Sequence, residues 1–274
     1  MAEKRIRVPD LKEKKQRGEK IAVLTAYDAT MARLFDRAGI DVLLVGDSLG
    51  NVIMGEETTL PVTLDAMVHH TRAVSRGARR ALVVADMPFL SYQVTVPEAV
   101  RNAGRLLQEG GAAAVKIEGG RPMIDVVKRL VEIGIPVMGH LGLVPQSVHK
   151  LGGYRQQARR DEDAKRLFED AHALEDAGAF SIVLESIPDA VAAAVTSALA
   201  IPTIGIGAGP HCDGQVLVSY DALGLFEGPV PPFVKQYAQL GELMVKAAKA
   251  YADDVREGNY PAAEAGAHSR SAVK

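Results

Sequence analysis

Tryptophan is absent from this chain of 274 residues, and cysteine occurs once, at Cys212. A lone cysteine closes no internal disulfide, so stability must come from a packed core, and the expectation is a reduced, cytoplasmic protein. Aromatic residues make up only 5%, too few for the stacking platforms that single-stranded nucleic acid uses. No excess of one charge sign exists either. The 32 basic and 34 acidic residues leave a formal charge of −2, so no nucleic-acid partner is expected. Long apolar runs are also missing. The greasiest helical stretch, AVAAAVTSALAI at 190–201, is too short and too rich in alanine to span a bilayer, so no membrane partner is expected. The opening MAEKRIRVPDLKEKKQRGEK has no apolar centre and carries Glu3, Asp10, Glu13 and Glu19, which fits neither a secretory signal nor a mitochondrial presequence.

What is present is apolar material in a regular order. At 47% hydrophobic the chain can build one large core, and α/β barrels of about 250 residues fold as single units. Short apolar runs fall at 21–28, 42–48, 81–88, 113–120, 136–142, 181–188 and 202–209, with a further candidate at 215–225. Most are continuous rather than alternating, as in strands of a parallel sheet buried on both faces. Amphipathic patterns at 29–39, 64–78, 96–111, 123–134 and 161–178 lie between them. Three of these close on the same phrase, RAGI, EIGI and DAGA, so one βα unit recurs. Seven or eight such units predict a single (β/α)8 TIM barrel over 1–260 with a short N-terminal helical lead-in, and a disordered tail at 261–274. The alternative is an open doubly wound sheet, which usually carries a dinucleotide glycine signature after its first strand. Here that strand runs into TAYDATMARL, with no glycine.

Five consecutive candidate strands finish on an ionisable residue: Asp47 in LLVGD, Asp86 in LVVAD, Glu118 in VKIE, His140 in VMGH and Glu185 in IVLE. For any one acid, a helix N-cap or a hydrogen-bonded core group is a sufficient explanation. Four acids on one rim repel unless a positive charge sits among them, and oxygen ligands without a Cys–His cluster suit a hard cation such as Mg2+. His69 and His70 are adjacent and point to different helix faces, which is not zinc spacing. Lys116 stands two residues before Glu118. Period two puts both side chains on one strand face, where Lys116 could bind a substrate carboxylate or simply pair with Glu118. The glycine-rich GIGAGPHCDGQ at 205–215 is compatible with phosphate binding or with close packing. The basic segment 144–160 has the length of a lid or substrate loop.

The series TAYD, VGDSLG, TLPVTLDAMVHHTRAV, ADMPFLSY, RNAGRL, VKIEGG, PVMGHLGLVPQSVHKLGGY and IPTIGIGAGPHCDGQVLV resembles the ketopantoate hydroxymethyltransferase family, in one order from about residue 21 to 237. The resemblance implies a barrel of the phosphoenolpyruvate/pyruvate superfamily, bound Mg2+ and a homodecamer built as a pentamer of dimers. It implies transfer of a hydroxymethyl group from 5,10-methylenetetrahydrofolate to 3-methyl-2-oxobutanoate through a Mg-stabilised enolate, giving 2-dehydropantoate for pantothenate synthesis. By motif it assigns Asp47, Asp86 and Glu118 to the metal, Asp47, Ser48, Asp86 and Lys116 to the keto acid, and Glu185 to proton abstraction. His140 is a possible auxiliary group. Three rivals stay open at this level. A Mg-dependent C–C lyase or phosphonopyruvate-type enzyme would share the barrel and its acids, although the KKCGH loop of isocitrate lyases is absent. A non-catalytic keto-acid-binding barrel would bind without turnover. A phosphosugar barrel would rest on the glycine loop alone.

Overall fold

The computed structural model describes residues 4–262. The chain divides into two compact units, Met1–Ser219 and Tyr220–Lys274. In the first, eight parallel strands close in sequence order into a barrel: β1 (Ile21–Thr25), β2 (Val42–Val45), β3 (Leu82–Asp86), β4 (Ala114–Glu118), β5 (Val137–Gly142), β6 (Ser181–Glu185), β7 (Thr203–Ile206) and β8 (Gly214–Leu217). The expected (β/α)8 topology is therefore observed. The helices of this unit are α1 (Val8–Gln16), α2 (Ala29–Arg37), α3 (Leu49–Val52), α4 (Leu64–Gly77), α5 (Val96–Gln108), α6 (Ile124–Glu132), α7 (Val148–Leu151), α8 (Asp161–Asp176) and α9 (Asp189–Ala198). The short α10 (Ser219–Ala222) lies at the division, and α11 (Leu240–Glu257) belongs to the second unit.

Local chemistry explains the element ends. Asp28 accepts from the Thr30 and Met31 backbone N–H groups, Thr63 from Ala66 and Thr95 from Glu98, so α2, α4 and α5 start on side-chain caps. The three repeated phrases end at Gly39, Gly134 and Gly178, with φ of 90°, 87° and 95°. Only glycine enters that left-handed region freely, and it turns each helix back toward its strand. Two details differ from the sequence expectation. No helix separates β7 from β8, because residues 207–213 bridge them directly; there the Thr203 backbone N–H and Lys15 Nζ both donate to Asp213. The last candidate strand is also shorter than 215–225. It stops at Leu217, because the Ser219 N–H donates to Thr25 Oγ1, 2.9 Å away, and the chain turns into α10. Of the tail expected to be disordered, residues 263–274 lie outside the described residues.

Every strand sends apolar side chains into the barrel: Ile21, Val23, Val42, Leu44, Leu82, Val84, Ala114, Met138, Val183, Ile204 and Val216 form one buried cluster. Ile6 and Leu11 of the N-terminal lead-in join it and close the amino-terminal end. Lys15 fixes that lead-in. Its Nζ donates to the carbonyls of Thr196 (2.8 Å) and Ile201 (3.0 Å) and to Asp213 Oδ2 (2.9 Å). Replacing Lys15 by Met would leave Asp213 largely buried without its cation, a loss of ~3 kcal/mol for a broken pair of this kind. Urea unfolding of Lys15→Met is expected to show that loss.

Candidate active site

Period two carries the apolar layers upward into a polar one. Leu82 and Val84 face the interior, so Asp86 does too. The same alternation takes Ala114 to Lys116 and Glu118, Met138 to His140, and Val183 to Glu185. The strand register then sets neighbours side by side, with Asp86 opposite Lys116 and Glu118 opposite His140. Asp47 enters from the turn after β2, one residue beyond Gly46. A Cβ on Gly46 would stand 2.7 Å from Ser48 Oγ and 3.6 Å from Asp86 Oδ2, so glycine is what lets this turn approach the acids. All five strand-end residues and Lys116 meet at the carboxyl end of the barrel. Asp47, Asp86, Lys116, Glu118 and His140 are buried, and Glu185 is the most exposed, at 16% of its side chain.

None of these acids is a helix cap. Asp86 Oδ2 accepts from the Asp47 backbone N–H at 3.1 Å, and Glu118 Oε2 from the Gln146 N–H at 3.0 Å. Ser48 precedes α3 without capping it, and its Oγ lies 2.9 Å from the Tyr27 hydroxyl. Lys116 Nζ is the cation of the cluster, 3.2 Å from Asp86 Oδ1 and 3.2 Å from His140 Nδ1. His140 Nδ1 is 3.5 Å from Glu118 Oε1, and its Nε2 is 3.1 Å from Glu185 Oε2. These approaches are close but poorly directed. Asp86 Oδ1, Glu118 Oε1 and His140 Nε2 are buried and make no aligned hydrogen bond among the described residues.

The electrostatics follow from crowding. Burial, then the charges of Asp86 and Glu118, push the Asp47 carboxyl up to about 8, against the pull of Lys116 and the Gln146 amide. Burial also raises Asp86, although Lys116 and the Asp47 N–H oppose it. Desolvation works against the Lys116 ammonium, yet Asp86, Glu118 and Asp47 outweigh it and hold the lysine charged well above its usual range. For His140, burial and Lys116 disfavour the imidazolium, and Glu118 and Glu185 more than offset them, so its pKa moves up. A charged Lys116 has no lone pair and can only donate to Nδ1. Whether His140 is neutral or charged, Nε2 is therefore the nitrogen that carries hydrogen toward Glu185.

One lysine does not balance four carboxylates. Hard oxygen donors, two of them orphaned, fit a divalent cation of the Mg2+ type. Among the described residues, no group of three or more His, Cys, Asp or Glu side chains is placed to hold a metal ion. A cation here would take few protein ligands and leave coordination positions to substrate. Sequence reasoning missed Gln146, Tyr92 and Tyr27. Gln146 Nε2 donates to Asp47 Oδ2 at 2.9 Å, and the Tyr92 hydroxyl donates to Gln146 Oε1 at 2.8 Å. Gln146 sits within the segment 144–160, whose polarity signalled a functional loop without saying which residue reaches inward. His70 binds the Tyr27 carbonyl through Nδ1 at 2.7 Å and His69 is exposed, so that pair takes no part in the cluster. Cys212 is buried and outside it.

Solved structures share this fold at low identity. Phosphonopyruvate hydrolase, crystallised with oxalate and Mg2+, superposes with a TM-score of 0.62 at 12% identity, over 92% of this chain and 87% of that one. A 2,3-dimethylmalate lyase, described as a PEP mutase/isocitrate lyase superfamily member, gives 0.58 at 20% identity, over 92% and 88%. Relatives in sequence are far nearer. The proteins named 3-methyl-2-oxobutanoate hydroxymethyltransferase from Chlorobium phaeobacteroides and Syntrophus aciditrophicus are 57% and 59% identical, each over 90% of this chain and 91% of the relative. The protein of that name from Moorella thermoacetica is 56% identical over 94% of this chain and 96% of its own length. Residues 5–263 match the family described as ketopantoate hydroxymethyltransferase. With nearly the whole chain matched at such identity, this protein belongs to the ketopantoate hydroxymethyltransferase family.

Proposed function

We propose that the chain transfers a hydroxymethyl group from 5,10-methylenetetrahydrofolate to 3-methyl-2-oxobutanoate, giving 2-dehydropantoate for pantothenate synthesis. Family membership supports the hydroxymethyl transfer, and the relatives' name supplies the acceptor. The observation that carries the reading is the convergence of Asp47, Asp86, Lys116, Glu118, His140 and Glu185 at one barrel mouth. A 2-oxo acid offers a carboxylate, a keto oxygen and an acidic C–H at C3, and the cluster holds a group suited to each. Lys116, kept charged by its neighbours, attracts the carboxylate, and Ser48, free of capping duty, adds a hydroxyl. Glu185 is the acid most open to substrate. With His140 Nε2 beside its Oε2, its other oxygen is left to take the C3 proton. Carbon C3 then attacks the methylene carbon of the folate after one of its two C–N bonds has opened with the electron pair going to nitrogen; water replaces the second nitrogen, supplying the hydroxyl and releasing tetrahydrofolate.

Asp47 and Asp86 would hold Mg2+, with Glu118 beside them, and the crystallisation of a structural neighbour with oxalate and Mg2+ is in keeping with this. When bound, the ion supplies positive charge for the keto oxygen as the enolate forms. The rival lyase reading draws on the same neighbours, whose 12–20% identity carries the fold and not the reaction.

The described residues contain no helix long and apolar enough to cross a membrane; the single cysteine supports a cytoplasmic setting. We also propose a homo-oligomer, with the decamer as the expected form. The 18-residue α11 has no buried residue, and Leu243, Met244, Val245, Tyr251 and Val255 are 46–64% exposed. Exposed apolar side chains on one helix in this number offer a surface for a second copy of the chain.

Three outcomes are expected. Glu185→Gln should bind the keto acid within ~3-fold of wild type and lose deuterium exchange at C3 by ~100-fold or more; retained exchange would remove Glu185 from its role. Asp86→Ala should lose both activity and its dependence on Mg2+, and full wild-type activity in excess EDTA would contradict the metal assignment. Light scattering at micromolar concentration should report a multiple of the chain mass. A monomer that stays monodisperse would leave α11 unexplained and the oligomer reading wrong.

A further inference from the structure

We infer that Gln146 is a positioning residue for hydroxymethyl transfer, which clamps the segment after β5 onto Asp47 and Glu118 and fixes the Asp47 carboxylate for the reaction. The inference rests on the proposed roles of those two acids. Gln146 lies in a one-turn 3-10 helix, Pro145–Ser147, whose proline presets the first position. It is buried at 6% exposure. Its backbone N–H donates to Glu118 Oε2 (3.0 Å), and its Nε2 donates to Asp47 Oδ2 (2.9 Å) and to the Met87 carbonyl (2.9 Å). Its Oε1 accepts from the Tyr92 hydroxyl (2.8 Å) and from Gln93 Nε2 (3.1 Å).

The amide orientation is not arbitrary. A flip would set Oε1 against the Asp47 carboxylate and the Met87 carbonyl, acceptor facing acceptor, and would face Nε2 toward the Gln93 amide nitrogen. Tyr92 secures the arrangement, because its hydroxyl oxygen also accepts the Glu118 backbone N–H at 3.0 Å. Both amide donors and both acceptor positions are thus filled, and the network ties the ends of β2, β3 and β4 to the segment after β5. Among the described residues this amide is the only side-chain hydrogen-bond donor on Asp47. Its loss would leave that carboxylate free to rotate away from the orientation in which it serves the cluster.

A buried glutamine that only fills space would affect stability alone. The measurement that separates the roles is a double-mutant cycle on Gln146→Met, which keeps length and removes the amide, and Tyr92→Phe, which keeps the ring and removes the hydroxyl. Partners that orient site carboxylates commonly contribute 10–100-fold. Gln146→Met is therefore expected to lower kcat by ~100-fold with KM for the keto acid changed by less than ~3-fold, and Tyr92→Phe to lower kcat by ~10-fold. The double variant should fall by ~100-fold rather than ~1,000-fold, because both act through one network. Calorimetric titration with Mg2+ alone should show binding weakened by ~10-fold in Gln146→Met. Additive kcat losses, or a kcat unchanged in folded Gln146→Met, would overturn the inference. Should Gln146→Met not fold, an unchanged kcat in Tyr92→Phe would overturn it equally. If the wild type proves indifferent to EDTA, the metal assignment fails by itself, and the kcat cycle still decides the role of Gln146.

Discussion

The constraint on which the rest of this structure depends is the crowding of Asp47, Asp86, Glu118 and Glu185 around a single lysine at a barrel mouth. Mutual repulsion would spread such acids apart. What prevents this is rigid placement. Each acid sits at the end of a strand, or one turn beyond it, and the strands are locked by a closed ladder from β1 round to β8. Asp86 cannot retreat from Lys116 because the two are register partners, and Glu118 is fixed to His140 in the same way. The barrel forces together charges that a flexible surface would separate, and burial together with the charges of Asp86 and Glu118 pushes the Asp47 carboxyl up to about 8. A site built in this way favours what relieves it: a cation, or a substrate that brings one.

Much of that placement was legible in the chain. Continuous apolar runs gave the buried strands because parallel sheets are covered on both faces, and their ends pointed to the cluster. The spacing of Lys116 and Glu118 was readable because the strand period of two is local. The repeated Gly39, Gly134 and Gly178 were readable because a left-handed turn leaves a compositional mark. Gln146 and Tyr92 left no mark. Gln146 meets Asp47 across 99 residues and Tyr92 across 54, and nothing near either residue encodes those distances. The missing helix between β7 and β8 was hidden for the opposite reason. Glycine-rich sequence is equally compatible with a ligand loop and with a direct bridge, and the deciding contacts to Asp213 come from Lys15 and Thr203.

The difference between a capping acid and a site acid is a matter of geometry that residue type does not reveal. Asp28 and Asp47 both stand just before a helix. Asp28 has extended backbone, and its carboxylate turns onto the N–H groups of Thr30 and Met31. Before α3 the cap position falls to Ser48, whose backbone is already helical at φ −52° and ψ −15°, so no side chain folds back over those N–H groups. Asp47 is released from local work and its carboxylate can face inward. The first N–H groups of the short helix are met by backbone carbonyls instead, Leu49 by Gly46 and Gly50 by Asp47. Both side chains are thereby left for partners across the mouth, Gln146 for the Asp47 carboxylate and Tyr27 for the Ser48 hydroxyl.

That exchange recurs around the mouth. Asp86 Oδ1, Glu118 Oε1 and His140 Nε2 are buried without aligned hydrogen bonds, although Lys116, His140 and Glu185 stand within 3.5 Å of them. Below them the barrel interior is apolar and plugged by Ile6 and Leu11, so inside the barrel these three atoms lie at one end. Stability and chemistry are thereby divided along the barrel axis. The amino-terminal end carries the packing and the Lys15–Asp213 pair. The carboxyl-terminal end holds polar atoms whose missing partners a bound keto acid and cation can supply. What folding leaves imperfectly paired at this rim, ligand binding can complete.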